Sequence, residues 1–138
     1  MRDLTSLGQA LVDPTLVRIL AALRHAELCV GEWGDALEIN QSTLSGHLQV
    51  LRQTGIVHTR KEGRWIYYAL SPRFADPIEA IFGHLQPDSL TDPRLGRDAE
   101  RIVRRLALRE HGRCVLGFSA LKTRGRPERP ALSHAPSR

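Results

Sequence analysis

Residues 40–70 read NQSTLSGHLQVLRQTGIVHTRKEGRWIYYAL, and this stretch decides the fold. Cap-type polar residues, Asn40 to Thr43, open it. Leu44, Leu48 and Leu51 follow at i, i+4 and i+7, the spacing of a helix with one buried face. Gly55 stands where a glycine ends a helix, because the left-handed conformation needed there costs glycine nothing. Two β-type runs come next, Ile56 to Thr59 and Trp65 to Leu70. They flank the charged loop Lys61-Glu62-Gly63-Arg64. A short polar-faced helix followed directly by a basic hairpin suits a duplex-binding element. The helix would enter the major groove and the hairpin would reach the flanking backbone.

On the N-terminal side, Leu4, Leu7 and Leu11 make a first helix with a narrow apolar stripe. Asp13-Pro14 reads as an N-cap with proline at the first helical position. Leu16, Ile19, Leu20 and Leu23 form the buried face of the helix that follows. Both stripes read as core or dimer surface. Glu27 to Ile39 reads as a third helix, with Val30, Trp33 and Leu37 on one face and Gly31 and Gly34 weakening it slightly. With the helix from residue 41 it predicts a helix-turn-helix whose turn lies around Glu38 to Asn40. On the C-terminal side, Ile78, Ile81, Phe82 and Leu85 predict another amphipathic helix, and Gln86 to Pro93 a turn-rich break. Leu95, Ala99, Ile102, Val103 and Leu106 build a last helix. Its opposite face, Arg97, Arg101, Arg104 and Arg105, reads as a solvated charged face laced with Asp98 and Glu100.

The division expected is a DNA-binding and dimerisation unit over 1–90, a C-terminal helix with a Cys-bearing extension over 91–121, and a tail over 122–138. That tail, KTRGRPERPALSHAPSR, has the composition of a disordered basic segment that adds nonspecific DNA affinity.

The 138 residues are 41% hydrophobic, enough for a core, and carry a net charge of +5. That charge is uneven. Residues 1–40 hold three basic and six acidic residues, and 74–121 balance at seven each. Residues 41–73 set Arg52, Arg60, Lys61, Arg64 and Arg73 against Glu62 alone, and the tail sets five basic residues against Glu128. The excess thus lies on the reading element and the tail, as a phosphate-contacting surface requires. No window approaches a membrane span and the N-terminus has no signal pattern, so a cytoplasmic protein without a membrane partner is expected. The two cysteines are expected as thiols. No nucleophile–base constellation, phosphate loop or carboxylate pair points to an enzyme, and no organic cofactor is expected.

The continuous stretch from Leu11 to Pro72 resembles the ArsR/SmtB family of bacterial winged-helix repressors. The resemblance rests on Asp13-Pro14-Thr15, Arg18-Ile19-Leu20, Glu27-Leu28-Cys29-Val30, Gln41-Ser42-Thr43-Leu44-Ser45, His47-Leu48, Leu51-Arg52, Gly55, Gly63-Arg64-Trp65 and Tyr67-Tyr68. It implies a mostly α winged helix-turn-helix with a small β-hairpin wing, acting as a homodimer. It also implies a double-stranded operator overlapping the protein's own promoter, released when a thiophilic or transition metal inducer binds. Residues 41–53 would be the recognition helix, with Gln41, Ser42, Thr43, Ser45 and Arg52 toward DNA. Ser42 and Thr43 also suit a capping role. His47 fits the family's near-fixed histidine, as a DNA contact or a helix-packing residue. Gly46 departs from the family, which often has a larger polar or basic residue there, so one contact per subunit is expected to be missing or altered. Arg60, Lys61 and Arg64 would be wing contacts to the backbone and minor groove, with Trp65 and Tyr68 packing the wing.

The inducer is read from the cysteines. Glu27-Leu28-Cys29 resembles the arsenic-type branch, whose third helix carries Cys-Val-Cys where this chain has Cys29-Val30-Gly31. A helix N-terminus favours thiolate, so Cys29 reads as a reactive sensing thiol, against the plainer reading of a small buried apolar residue. Cys114, just after the last helix, resembles the thiol-bearing tails of that branch. The zinc-type pairing on one helix is absent, with His84 and Asp88 isolated. Trivalent arsenic and antimony are soft and favour thiolates, so either at Cys29 and Cys114 is the expected inducer. Two sulfurs suit an arsenical with one valence already occupied, and inorganic arsenite would need a third ligand. Two alternatives stand beside this. One is a zinc or cadmium site recruiting His111. The other is a thiol redox or persulfide switch. The sequence leaves open whether the two cysteines meet within or across subunits.

Overall fold

A computed structural model describes residues 1–85, 92–117 and 121. Residues 86–91, with Pro87 and Asp88 of the expected break, and the tail 122–138 lie outside the described residues. The elements are α1 (Arg2–Ala10), α2 (Pro14–Leu23), β1 (Leu28–Cys29), α3 (Val30–Leu37), α4 (Gln41–Thr54), β2 (Val57–Glu62), β3 (Trp65–Leu70), α5 (Pro72–Leu85) and α6 (Pro93–Leu106). This is a mostly helical winged helix-turn-helix.

The helix starts follow the cap chemistry. The Asp13 side chain accepts the amides of Thr15 and Leu16, with Pro14 as the first helical residue. Asn40 Oδ1 accepts the Thr43 amide at 2.9 Å to open α4, and Gly55 closes that helix at φ 79°. The stripes of α2, α3 and α4 meet in one core: Leu16, Ile19, Leu20 and Leu23 against Trp33 and Leu37 and against Leu44, Leu48 and Leu51, all buried. Tyr68 of the wing joins them, its ring centroid 5.4 Å from that of Trp33. Among the described residues no single helix is long and apolar enough to cross a membrane.

Three expectations are corrected. The third helix starts at Val30, because Leu28 and Cys29 are drawn into a strand. They pair antiparallel with Tyr68 and Tyr67, giving a three-stranded sheet in the order β1-β3-β2. The first wing strand runs to Glu62 rather than Thr59, because Lys61 and Glu62 keep pairing with Ile66 and Trp65. Gly63 and Arg64 alone make the turn, with Gly63 at φ 59°. The α1 stripe, expected as core or dimer surface, divides: Leu7 and Leu11 are half-buried against the core and Leu4 is 75% exposed.

The third correction matters most. The arginine face of α6 is solvated only in part: Arg97 and Arg104 stay exposed, while Arg101 and Arg105 pack on α3. Arg101 donates to the carbonyls of Ala36 and Asp35 at 2.8 and 2.9 Å, and Arg97 pairs with Glu38. Arg105 is 1% exposed beside Asp35. Asp98 faces the other way and takes a two-pronged grip from Arg18 at 2.7 and 2.9 Å, while Arg18 also donates to the Leu37 carbonyl. The physical reason is that α3 ends in unpaired carbonyls with negative dipole character, which guanidinium groups satisfy. Asp98→Ala leaves Arg18 without its counter-charge at a mostly buried position. The expected cost is about 3 kcal/mol, read as a lower urea midpoint at unchanged slope. A loss below about 1 kcal/mol would mark the pair as a screened surface contact.

Candidate functional site

Two surfaces carry chemistry. The first is the outer face of α4 with the wing. Burial of Leu44, Leu48 and Leu51 turns Gln41, Ser42, Thr43, Ser45, Gly46 and Arg52 outward, with His47 half-buried. The Ser42 hydroxyl donates to the Asn40 carboxamide at 3.0 Å, so Asn40 gathers the cap and leaves Gln41 and Ser45 outside it. A Cβ placed on Gly46 meets nothing within 4 Å. On the wing, Lys61 and Arg64 are exposed, and Arg64 lies over the Trp65 ring at 4.8 Å. Neither has a carboxylate partner among the described residues. Arg60 differs. It pairs with Glu27 and with Glu62, and its guanidinium lies 4.4 Å from the centre of the Tyr67 ring. This pairing holds both carboxyls below their ordinary range.

The second surface is internal. Cys29, the last residue of β1, and Cys114, beyond α6, bring their sulfurs to 2.7 Å within a single chain. They are 2% and 1% exposed. Cys29 is pinned by strand pairing opposite Tyr67 and by its amide, which donates to Glu32 Oε1 at 3.1 Å. Glu32, one turn into α3 and fully buried, takes both prongs of Arg109 at 2.7 Å each. Arg109 also donates to the Glu27 carbonyl. The Cys114 amide donates to the Tyr67 hydroxyl at 2.7 Å. Arg105 secures the chain just beyond, donating to the carbonyls of Leu116 and Gly117. Its Nε sits 2.9 Å from Asp35 Oδ2, too bent for a hydrogen bond, and that same oxygen accepts the Leu121 amide.

The candidate donor set is therefore Cys29, Cys114 and Glu32, whose ligand atoms lie within 4.8 Å of one another. His111 does not join it. It is exposed at φ 52° in the turn closed by Glu110 and Arg113. Sequence reading missed Glu32, although Cys29-x-x-Glu32 at a helix start was a usable signal. Glu32 is a poor donor all the same. Oε1 accepts from Cys29 and Arg109, and Oε2 from Arg109, so most of the carboxylate's acceptor capacity is taken and its charge is met. What remains is two sulfurs, the set for a soft centre with two bonds to give rather than for tetrahedral zinc.

The two thiols are unequal. The hydrogen bond between them, with burial and the Glu32 charge behind it, pushes Cys29 up. Cys114 is pulled down, first by accepting from Cys29 and then by Arg105 and Arg109. At Cys29 the shared hydrogen bond, burial and the nearby carboxylate act against the helix N-terminus, and the lower-titrating thiol of the pair is Cys114.

Comparison with known proteins agrees with this architecture. Residues 13–59 match the sequence model of the family described as bacterial regulatory protein, arsR family. The arsenic resistance transcriptional regulator of Pseudomonas putida is 36% identical over 97 residues, which are 64% of this chain and 76% of that protein. The next three curated relatives are covered over 57% to 59% of their own length. Names among the relatives include arsenical resistance, cadmium resistance and biofilm growth. The structure of reduced HlyU from Vibrio cholerae superposes with a TM-score of 0.56 at 37% identity, over 62% of this chain and 90% of that one. A homodimeric winged helix-turn-helix domain from Mycobacterium bovis, described as a possible ArsR-family regulator, gives 0.55 at 27% identity, over 64% and 82%.

Thiolate absorbance in the ultraviolet should rise in two separated steps, one below and one above the ordinary cysteine value of about 8.5, both belonging to the pair. In Cys29→Ala the remaining step should move up, since Cys114 loses its donor. A single step near the ordinary value in the unaltered protein would show the sulfurs are not hydrogen-bonded.

Proposed function

The chain belongs to the ArsR family of bacterial regulatory proteins, and from that premise we propose that it is a homodimeric repressor released from its operator by a thiophilic inducer, a trivalent arsenical or antimonite, held by Cys29 and Cys114. The observation that carries this reading is the buried thiol pair, 2.7 Å apart in one chain, with its carboxylate neighbour already spent on Arg109. An arsenical R–As(OH)₂ meets such a pair by exchange. Two As–S bonds form, two hydroxides leave with the two thiol protons as water, and no electron changes hands. Cys114, the thiol held down, attacks first, and Cys29 closes the chelate. Trp65 and Tyr67, packed around the sulfurs, supply apolar surroundings that suit an organic substituent.

The surface of α4 supports the DNA half of the proposal. Gln41, Ser42, Thr43 and Ser45 would meet base edges and phosphates, with His47 and Arg52 at the flank and Lys61 and Arg64 of the wing on the backbone. Arg60, held by Glu27 and Glu62, would add little charge there. Dimerisation would cover the exposed apolar residues Leu4, Val12 and Leu85 and the cleft of about 220 Å³ lined by Leu11, Val17, Ile81, Phe82 and Leu85. The dimer would set its recognition helices about 34–36 Å apart, one helical turn of DNA. Full switching requires the inducer to favour the released geometry about 10⁴-fold, roughly 5.5 kcal/mol. A second reading rests on the same separation. A peroxide could take two electrons from the pair, forming a disulfide and two waters, and the switch would then be redox.

Fluorescence anisotropy of the reduced protein on its own upstream DNA, with arsenite, methylarsenite, antimonite, zinc, cadmium and peroxide, separates these readings. Cys29→Ser and Cys114→Ser should each bind operator as the parent does and lose release by trivalent arsenicals. Normal release in either variant removes that cysteine from the site. Release by peroxide alone selects the redox reading. Separately, Arg64→Gln should lower affinity for all sequences alike and reduce the salt slope by about 1. An altered operator preference instead would make Arg64 a base contact.

A further inference from the structure

Tyr67 occupies a position that neither the thiol chemistry nor the DNA surface explains alone. On β3 it pairs on one side with Cys29 and on the other with Arg60. Its hydroxyl accepts the amide of Cys114. The guanidinium groups of Arg60 and Arg109 lie 4.4 and 5.6 Å from its ring centre. Arg60 belongs to the wing, and Arg109 holds Glu32 behind the sulfurs. One side chain thus touches both cysteine-bearing segments and the wing strand. We propose that Tyr67 is the positioning residue through which occupancy of the Cys29–Cys114 pair reaches the wing.

The argument is geometric and rests on the thiol pair being the inducer site. Sulfurs 2.7 Å apart have no room for an atom between them. Two sulfurs bonded at near right angles to one trivalent centre, by bonds longer than the ~2 Å of a disulfide, stand about 3 Å apart or more. Capture by such a centre and closure to a disulfide demand different sulfur separations, so engaging the pair moves one cysteine-bearing segment against the other. Cys29 cannot follow, since β-pairing and Glu32 fix its backbone. Cys114 lies in an irregular segment, so it is the one that shifts, and its amide is bonded to Tyr67. A buried amide that loses its acceptor is costly, so the shift either pulls β3 along or breaks the bond. Two outer links run parallel: Arg60 with Glu27, and Arg113 with Glu62 at 2.9 Å. Both are exposed ion pairs, weak and screened by salt, which leaves Tyr67 as the main connection.

The test uses the full-length dimer, perturbed with phenylarsine oxide in one arm and hydrogen peroxide in the other. Mass spectrometry scores capture, anisotropy scores operator affinity, and hydrogen exchange scores residues 57–70. In the unaltered protein an engaged pair should lower operator affinity by about tenfold or more and speed exchange over the wing. Tyr67→Phe should keep capture, keep the affinity of the reduced, inducer-free protein within about threefold, and cut release below about threefold. A merely structural role would weaken affinity in both states and leave their ratio alone. Release of Tyr67→Phe equal to the parent overturns the proposal. So does release of the parent with wing exchange unchanged, which decides the matter should the variant fail to fold. If phenylarsine oxide is not captured, the arsenical reading falls and the peroxide arm carries the test of Tyr67.

Discussion

Everything at the internal site depends on how a very short helix is held. Eight residues of α3 would not stand alone in water. Guanidinium groups clamp it at both ends. Arg18 and Arg101 satisfy the carbonyls of Leu37, Ala36 and Asp35 at its C-terminus, Arg105 lies against Asp35, and Arg109 grips Glu32 in its first turn. Arg97, Arg101, Arg105 and Arg109 recur every fourth residue, so one edge of α6 and its extension lies along α3. The clamp fixes where Cys29 begins the helix, where Cys114 ends up beyond α6, and how α4 is presented after the turn.

The reading element was legible because its signals are local. A cap at Asn40, a glycine at Gly55 and leucines at helical spacing each act within a few residues, and the structure contains each. The strand at Leu28–Cys29 was not legible, because two residues become a strand only when a partner edge is offered, and Tyr67 and Tyr68 lie some forty positions away. Arg101 and Arg105 of the α6 arginine face were misread for a related reason. A charged face is normally solvated, and only the fold brings up the end of a helix whose carbonyls need donors. The two cysteines could be picked by type, whereas their meeting depends on the fold of a chain that separates them by 85 positions. Glu32 was hidden behind the more familiar ligand type, His111.

The site and the wing share a sheet, which changes how the molecule divides its work. β1 contributes a thiol to the same three strands whose other edge carries Arg60 and Lys61. The proposed thiol site and the wing are thus joined through β3, which pairs with both β1 and β2, and coupling between them would require no long chain of contacts. The carboxylates follow suit. Glu27 and Glu62 neutralise a wing arginine, while Glu32 neutralises the arginine behind the sulfurs. Charge that a phosphate or a metal could have claimed is spent on holding the sheet and α3 in register.

Gly46 is a position that the fold leaves open. It lies mid-way along the outward face of α4, and a side chain there would meet no other part of the protein. Replacing glycine within a helix gains up to about 1 kcal/mol of intrinsic propensity, so most substitutions at this position are permitted by the fold. On the proposed DNA-binding reading, target preference would be adjustable at this one position without disturbing the buried thiol pair on the other side of the core.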